Sequence, residues 1–315
     1  MRRLRKILKW SLLTGIVCIG ILLITVLMRQ NLKTDRPYPA IRATTDSTVI
    51  ARGKHLIFSS AHCADCHSRS NADSLFSLGQ EVPLTGGVLF DLPLGKIYSR
   101  NITPDKETGI GNYSDSEIAR ALRYGVHPDG TVVYDFMPFH NMADEDLRAV
   151  ISYLRTTQPV YHKVPAHELN LLGKIAKAFL VKPVGPTGEV PRKMEPDSSV
   201  SYGRYLANNV ANCNGCHTKR TMTGAYTGQP FSGGVEMVEQ GMKLVTPNLT
   251  PDPSGRIFSW SGQQFINRFR GGKRIPQSPM PWNSFKRMTD EELKAIYNYL
   301  KSIEPAKTGE ARREP

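Results

Sequence analysis

A cluster of two cysteines and one histidine occurs twice in this chain of 315 residues, and it constrains the fold more than any other feature. The first copy, CADCH, spans residues 63–67, and the second, CNGCH, spans residues 213–217. Together they contain four of the five cysteines in the sequence. Because the same spacing recurs, the sequence predicts a duplicated unit.

The spacing Cys-x-x-Cys-His is the attachment signature of a c-type haem. The two thiols add to the two haem vinyl groups, and one helical turn brings the next residue, the histidine, beneath the iron. The sequence therefore predicts two covalently bound haems. The predicted attachment residues are Cys63, Cys66, Cys213 and Cys216, and the predicted histidine ligands of iron are His67 and His217.

Three other roles for the cysteines are weaker interpretations. A disulfide does not require a histidine beside each pair. Ligand pairs of a structural zinc site usually lie tens of residues apart, whereas these pairs are separated by 150 residues. A thioredoxin-like redox pair needs a βαβ context, which neither flank shows.

The repetition extends well beyond the two clusters. Each half has a helical segment before its cluster, then a Gly-Gly pair, an Asn-x-Thr-Pro-Asp motif, a Met-Pro pair and a closing amphipathic helix. The predicted fold is mostly α, with two tandem haem-binding domains. The predicted boundaries are 1–29 for a membrane anchor, 30–44 for a tether, 45–158 for domain 1, 159–196 for a linker, 197–306 for domain 2 and 307–315 for a tail.

The sixth coordination position of each haem iron is either occupied by a second axial ligand or left open. Met137 and Met280 both precede a proline, which stiffens the loop and removes an amide donor, as suits a thioether directed at iron. Many methionines simply fill a core. Met142 and Met288 precede the closing helices, where a hydrophobic staple is expected. We therefore predict iron ligation by Met137 and Met280 and a structural role for the other two.

Other polar residues near these motifs are weaker candidates. His62, His127 and His140 are expected to be exposed to solvent, because their positions in the second half hold no histidine. Arg100 directly precedes the first Asn-x-Thr-Pro-Asp motif and is a candidate partner of a propionate of the first haem. The linker is rich in Pro and Lys, and an amphipathic helix near residues 167–181 is expected to pack against the domains, with packing against lipid as the alternative.

The N-terminus predicts a membrane anchor. Five basic residues precede a run of 19 uncharged residues, Trp10–Met28, which as a helix is long enough to cross a bilayer. A cleaved signal peptide is one alternative, although its apolar region is usually shorter. Lipid attachment at Cys18 is another. With the basic residues held in the cytoplasm, the domains lie on the periplasmic side of the cytoplasmic membrane.

Composition excludes some classes of protein. With 40% apolar and 22% charged residues, the chain is neither disordered nor a polytopic membrane protein. Its net charge is +13, and without the five basic residues before the anchor 13 − 5 = +8 remains on the exported part, which could attract an acidic protein or anionic lipid. The exported location argues against nucleic acid as a partner.

The chain resembles the cytochrome c subunits of membrane-bound bacterial alcohol and sugar dehydrogenases and related diheme cytochromes c. The resemblance rests on the Cys-x-x-Cys-His clusters, the Gly-Gly pair, the segment from Asn101 to Ser114, the MPF motif and the closing helix, and it covers most of residues 45–306. It implies two tandem c-type cytochrome domains. It also implies that Met137 and Met280 complete the two iron sites.

The expected function is the transfer of single electrons between a donor, such as a dehydrogenase, and a respiratory acceptor. Partners would be redox proteins such as a dehydrogenase, an oxidase or another cytochrome. The chain contains no convincing catalytic triad, carboxylate pair or nucleotide loop, so an electron-transfer protein is favoured over an enzyme. One alternative is a diheme peroxidase-like enzyme in which one haem opens its sixth position; another is a redox sensor or assembly subunit.

Overall fold

A computed structural model of the protein describes residues 2–69, 72–221 and 224–313. It begins with a long helix, α1 (Arg2–Met28), which continues into a 3-10 turn at Arg29–Asn31. The most apolar 18-residue window of this segment has a mean hydropathy of 2.6, so its length and composition allow it to cross a membrane. Most of its apolar side chains are exposed, as they would be on a helix that faces lipid.

The rest of the chain folds as two similar helical units joined by a linker. The first unit contains α2 (Ser47–Phe58), α3 (Cys63–His67), α4 (Ala72–Ser77), β1 (Leu89–Leu92), β2 (Gly95–Tyr98), α5 (Asp115–Tyr124) and α6 (Asp144–Thr156). The linker contains β3 (Glu168–Leu169) and α7 (Leu171–Phe179). The second unit contains α8 (Val200–Tyr205), a π-helical turn (Leu206–Val210), α9 (Cys213–His217), β4 (Glu236–Glu239), β5 (Met242–Val245), α10 (Gly262–Arg270), α11 (Trp282–Phe285) and α12 (Asp290–Ser302). The predicted mostly α, duplicated fold is confirmed.

Short polar residues determine where the helices begin. Asp46 accepts hydrogen bonds from the amides of Thr48 and Val49 at the start of α2. Three further helices start with a capping box, in which the N-cap side chain and the side chain three residues later bond each other's amides. These pairs are Ser114 with Glu117, Ser261 with Gln264, and Thr289 with Glu292.

In each unit the first helix crosses the closing helix at a glycine. A β-carbon at Gly53 of α2 would lie 1.9 Å from the carbonyl oxygen of Ala149 in α6. A β-carbon at Gly203 of α8 would lie equally close, 1.9 Å, to the carbonyl oxygen of Ala295 in α12. Any side chain there would force the helices apart. The buried residues around both crossings form one continuous hydrophobic core.

Two short β-hairpins were not expected from the sequence. Strand β1 pairs antiparallel with β2, which also pairs with β3 from the linker, and β4 pairs antiparallel with β5. Each hairpin lies between the Gly-Gly pair and the Asn-x-Thr-Pro-Asp motif of its unit. Strands of four residues carry too little alternation of apolar and polar residues to be recognised from sequence.

Two buried carboxylates join the units. Asp146 in α6 and Glu292 in α12 occupy the third position of their closing helices. Arg52 of α2 contacts both, at 2.9 Å and 3.3 Å respectively. His55 lies 2.8 Å from Glu292, and the hydroxyl of Tyr205 in α8 donates to Asp146 at 2.8 Å. Each carboxylate thus bonds a group of the opposite unit, which fixes how the units pack.

We expect Glu292 to make the stability of the protein depend on pH. Burial raises its pKa, but the hydrogen bond and charge of His55, together with Arg52, outweigh burial and hold the pKa below its ordinary value of 4.5. This stabilisation is complete above pH 4.5 and is lost as the pH falls through the lower folded pKa. Glu292→Gln should weaken that acid dependence in thermal unfolding, and at pH 7 it should cost roughly 1–3 kcal/mol by disrupting buried hydrogen bonds.

The neighbouring residue provides a control. Glu291 is exposed on the same helix, so Glu291→Gln removes the same charge outside the buried network. Its melting temperature should follow that of the unmodified protein from pH 7 downwards. If both variants behaved alike, Glu292 would not be a source of the acid dependence.

Candidate haem sites

The attachment helices α3 and α9 begin at the first cysteine of each cluster. The preceding residues, His62 and Asn212, have left-handed backbone angles, with φ of 40° and 50°. Asn adopts this conformation more readily than most residues. The predicted solvent exposure of His62 is wrong. Burial lowers its pKa to about 4, and its ring packs edge-on against Phe285 of the second unit, with centroids 5.4 Å apart.

Each attachment helix ends in a buried histidine whose ring is oriented by a backbone carbonyl. Nδ1 of His67 donates to the carbonyl oxygen of Arg100 at 2.7 Å, and Nδ1 of His217 donates to that of Pro247 at 2.9 Å. Burial lowers the pKa of both histidines, so their rings are neutral near pH 7. A neutral imidazole that donates through Nδ1 keeps Nε2 available as a metal ligand.

The Gly-Gly pair lies directly against these carbonyl groups. The amides of Gly86 and Gly233 donate to the carbonyl oxygens of His67 and His217, at 2.8 Å and 2.7 Å. A β-carbon at Gly86 would lie 2.3 Å from the carbonyl of Arg100, and one at Gly233 would lie 2.4 Å from the carbonyl carbon of Pro247. Both glycines also have positive φ angles, 66° and 65°. Only glycine therefore fits between the histidine and its carbonyl partner.

The Asn-x-Thr-Pro-Asp motif holds this carbonyl in place. In the first unit the side chain of Asn101 donates to the carbonyl oxygen of Val160 at 2.9 Å. In the second unit Asn248 donates to the carbonyl oxygen of Ala306 at 2.7 Å. Both acceptors follow the closing helix of their unit. The motif therefore ties the chain beside the histidine to the end of the unit, which explains its recurrence as a structural element.

The cysteines of both clusters are free thiols in this structure. Burial raises the pKa of Cys63 and of Cys213 to about 12 and that of Cys66 to about 11. Burial also raises the pKa of Cys216. All four are therefore protonated near neutral pH, the form in which S–H adds across a vinyl group.

The first cluster lines a cavity of about 840 Å³. Its two cysteines and His67 lie on the wall, and so does Met137, which is distant in sequence. A cavity of this size with a largely apolar lining suits a large apolar ligand. The apolar wall includes Ile57, Ile97, Ile102, Val133, Phe139 and Leu154.

Basic and polar groups also line this cavity. They include Arg100, Lys163, His127 and His167, together with Tyr134. The hydroxyl of Tyr134 is buried and has no hydrogen-bond partner among the described residues. Burial raises the pKa of this hydroxyl, so it stays protonated and can donate a hydrogen bond to a carboxylate. Thiols, a neutral imidazole, a thioether and donors for propionates around one cavity together fit a c-type haem.

The structure separates the two kinds of methionine. Met142 and Met288 are only 1% and 2% exposed and lie within the hydrophobic core, so the structural role predicted for them is confirmed. Met280 is half-buried against the core, just before α11. Met137 is half-buried on the cavity wall. The sulfurs proposed as ligands therefore belong to loops and not to the helix packing.

Two further expectations from the sequence are wrong, and one alternative finds no support. His140 is 8% exposed and lies 2.9 Å from Asp135, and His127 is half-buried on the cavity wall, so neither is a solvated surface residue. Across residues 2–69, 72–221 and 224–313, no group of three or more His, Cys, Asp and Glu side chains is placed to bind a metal ion. The four cysteines therefore do not converge on a zinc site.

The carbonyl partners of the histidines and the contact between Tyr134 and His167 were not predicted from the sequence. The carbonyl partners could have been predicted from the Gly-Gly pair and the Asn-x-Thr-Pro-Asp motif, because both motifs occur at the same positions in the two units, one before and one after each hairpin. The ring of Tyr134 packs edge-on against His167, with centroids 5.5 Å apart. His167 comes from the linker, which is not duplicated, so no repeat could reveal that contact.

Comparison with known families gives a match in each unit. The sequence profile of the Cytochrome c family matches residues 50–158 and 200–304, more than half of the chain. Each match contains one Cys-x-x-Cys-His cluster, the associated Gly-Gly pair and the closing helix. The duplication recognised from motifs is therefore a duplication of this domain.

Several curated relatives are similar over most of the chain. The fructose dehydrogenase cytochrome subunit of Gluconobacter japonicus is 30% identical, with 86% of this chain and 56% of that protein covered. The alcohol dehydrogenase (quinone) cytochrome c subunit of Gluconobacter oxydans is 30% identical, with 82% and 55% covered. A diheme cytochrome c-type protein of Cereibacter sphaeroides is 27% identical, with 80% and 85% covered. The chain thus spans just over half the length of the first two relatives.

We expect Gly86→Ala to disturb the first histidine specifically. The new β-carbon would displace the carbonyl of Arg100, which orients His67. The haem-loaded variant should show a high-spin fraction from one of its two haems by electron paramagnetic resonance, and it should be destabilised by roughly 1–3 kcal/mol through overpacking.

Gly79→Ala separates this effect from backbone strain. Gly79 has a φ of 68°, close to that of Gly86, but a β-carbon there would meet nothing within 4 Å. Gly79→Ala should therefore carry a similar backbone strain from positive φ, but its haem spectrum should be the same as that of the unmodified protein. A normal spectrum in Gly86→Ala would show that the turn does not determine the orientation of His67.

Proposed function

This chain belongs to the cytochrome c family, and we propose that it is a membrane-anchored diheme cytochrome that passes single electrons from a dehydrogenase to a respiratory acceptor. Two c-type haems are its cofactors, as the two family matches and the diheme relative indicate. One observation carries the proposal. In both units a buried imidazole, oriented by a backbone carbonyl, lies beside a pair of free thiols.

We assign each haem to one unit. Domain 1, residues 45–158, would hold its haem through thioethers and two axial ligands, and domain 2, residues 197–306, would do the same. When bound, each iron supplies a one-electron ferric–ferrous couple. The proposed groups are Cys63, Cys66, His67 and Met137 in domain 1 and Cys213, Cys216, His217 and Met280 in domain 2.

The residues of the chain would set the reduction potential and exclude water. The carbonyls of Arg100 and Pro247 hold neutral imidazoles in one orientation, and soft thioethers favour ferrous iron and raise the potential. The apolar cavity wall of domain 1 keeps water from the iron site. We further propose that Arg100 and Tyr134 donate to a propionate of the first haem.

The N-terminal helix supports a location at the cytoplasmic membrane. Its basic residues precede the apolar segment, and this polarity favours a cytoplasmic N-terminus. Both domains would then lie on the periplasmic side. The relatives whose names include a dehydrogenase suggest the class of electron donor, which would dock where a haem edge comes close to the surface.

We expect Met137→Leu and Met280→Leu each to alter one haem. Both substitutions keep apolar volume and remove the thioether. The absorption band that methionine ligation gives to ferric haem should fall to about half, because each of the two haems contributes half of it. One of the two reduction potentials should also decrease. Visible spectroscopy and a redox titration of the purified, haem-loaded protein measure both changes.

The matched controls are Met142→Leu and Met288→Leu, which substitute core methionines at a cost below about 1.5 kcal/mol. Their band and potentials should be unchanged. An undiminished band in Met137→Leu or Met280→Leu would contradict that ligand assignment. A high-spin haem and peroxide turnover in the unmodified protein would instead favour the peroxidase-like alternative.

The proposed partner is tested by co-purification. Solubilisation of membranes in mild detergent should recover the cytochrome with dehydrogenase subunits, and the substrate of that enzyme should reduce both haems. A cytochrome that is recovered alone and is reduced instead by another soluble redox protein would leave electron transfer intact but contradict the dehydrogenase as donor.

A further inference from the structure

Helix α7 of the linker has an apolar face that the protein leaves uncovered. Leu171, Leu172, Ile175 and Phe179 fall within an arc of roughly 100° on the helix, given 3.6 residues per turn. Leu171 and Leu172 are 61% and 60% exposed, and Phe179 is 39% exposed. Ile175 between them is half-buried. Three exposed large apolar side chains on one side of a nine-residue helix are more than the scattered exposure of a soluble surface.

The opposite side of α7 packs against the protein. A β-carbon at Gly173 would lie 2.0 Å from the carbonyl oxygen of Leu94, so α7 lies directly on the first hairpin. Ala178, seven residues after Leu171, lies at the edge of the apolar arc and is 3% exposed, so the protein covers that edge. The expected helix and its packing are therefore present, but they account for only one face.

The end of the membrane helix meets α7 directly. The side chain of Gln30 donates to the carbonyl oxygen of Lys174 at 2.8 Å, and Arg29 donates to that of Ala178 at 3.0 Å. The guanidinium of Arg29 also lies 5.4 Å from the ring centroid of Phe179. Val26, at 2% exposure, is the buried residue in the described part of α1. Helix α7 is thus fixed at the point where α1 leaves its apolar segment.

Charges around this junction suit lipid headgroups. Lys33 and Arg36 follow α1, and Lys174 and Lys182 lie on or just after α7; all four are exposed. The exposed acids nearby are Asp35, Asp129, which lies close to Lys33 and Lys177, and Glu168 in β3, so the cations outnumber them only modestly. Exposed apolar side chains flanked by cations are the pattern of a helix that lies in the interface between headgroups and acyl chains.

We propose that α7 is a second membrane contact, lying in the outer surface of the bilayer that α1 crosses, with Leu171, Leu172, Ile175 and Phe179 among the acyl chains. This inference rests on the membrane anchoring in the proposed function. It adds a fixed orientation, because a single spanning helix by itself leaves the domains free to turn. The partner is the lipid surface, and the flanking cations contact its phosphate groups.

The contact would place the first haem site next to the membrane. The tether after α1 is fastened to domain 1, where the amide of Thr34 donates to the carbonyl oxygen of Gly130 at 2.8 Å and Arg120 donates to that of Thr34 at 3.0 Å. Burial, and after it the charge of Arg100, lowers the pKa values of His127 and His167 on the cavity wall, and Lys177 of α7 lies close enough for its charge to contribute as well.

Spin labels on the haem-loaded full chain test the contact. In a Cys18→Ser background, Leu172→Cys, Leu13→Cys and Val238→Cys each provide one free thiol, in α7, in α1 and on the exposed hairpin of domain 2, where Val238 is 70% exposed. Each nitroxide is examined in nanodiscs of phosphatidylcholine and phosphatidylglycerol by collision with oxygen, which enters lipid, and with a water-soluble nickel chelate. Measurements under nitrogen remove the contribution of nearby haem iron.

We expect the oxygen-to-nickel ratio at residue 172 to approach that at residue 13 and to exceed that at residue 238. A ratio at 172 equal to that at 238, with residue 13 protected from nickel, would overturn the contact and leave the anchor intact. Nickel access at all three positions would show that the anchor itself is wrong. Protection of residue 172 that arises only when another protein co-purifies would also overturn the assignment to lipid.

Discussion

Each unit is arranged around the hydrogen bond between the histidine of its Cys-x-x-Cys-His cluster and a backbone carbonyl. The acceptors, Arg100 and Pro247, determine which ring nitrogen carries the proton and which way the ring faces. The glycine turn must lack a β-carbon because it touches this carbonyl, and the Asn-x-Thr-Pro-Asp motif holds the same carbonyl to the end of the unit. Three of the repeated motifs therefore serve one interaction.

The two units are related by duplication but have diverged where they meet. Arg52 and His55 of α2 correspond in the repeat to Tyr202 and Tyr205 of α8. Arg52 and His55 contact the buried carboxylates directly, whereas Tyr205 donates to Asp146 and Tyr202 accepts a hydrogen bond from Arg52. Helix α11, which directly follows the proposed ligand Met280, lies against the first attachment helix, where Ser284 donates to Asp65 at 3.0 Å. The proposed ligand loop of one haem therefore adjoins the attachment helix of the other, an arrangement suited to exchange of electrons within the protein.

The features that could be predicted from the sequence are those that occur in both units. The clusters, the closing helices and the separation of loop methionines from core methionines could be predicted because each pattern occurs twice and each has a local cause. The expected exposure of His62 and His140 was wrong because each has a contact distant in sequence: His62 is half-buried against Phe285, and His140 is buried beside the carbonyl of Arg123 at the end of α5. The hairpins were missed because strands of four residues carry little pattern.

By itself the sequence determined the chemistry of the sites: two covalent haem attachments, each with its histidine, because thiol and imidazole spacing within one helical turn is a local property. It also determined that an apolar helix precedes them. Only the tertiary structure decided which carbonyl orients each histidine, which residues complete the first cavity, and where α7 lies relative to α1. Those relations join segments tens to hundreds of positions apart, and packing, not local spacing, brings them together.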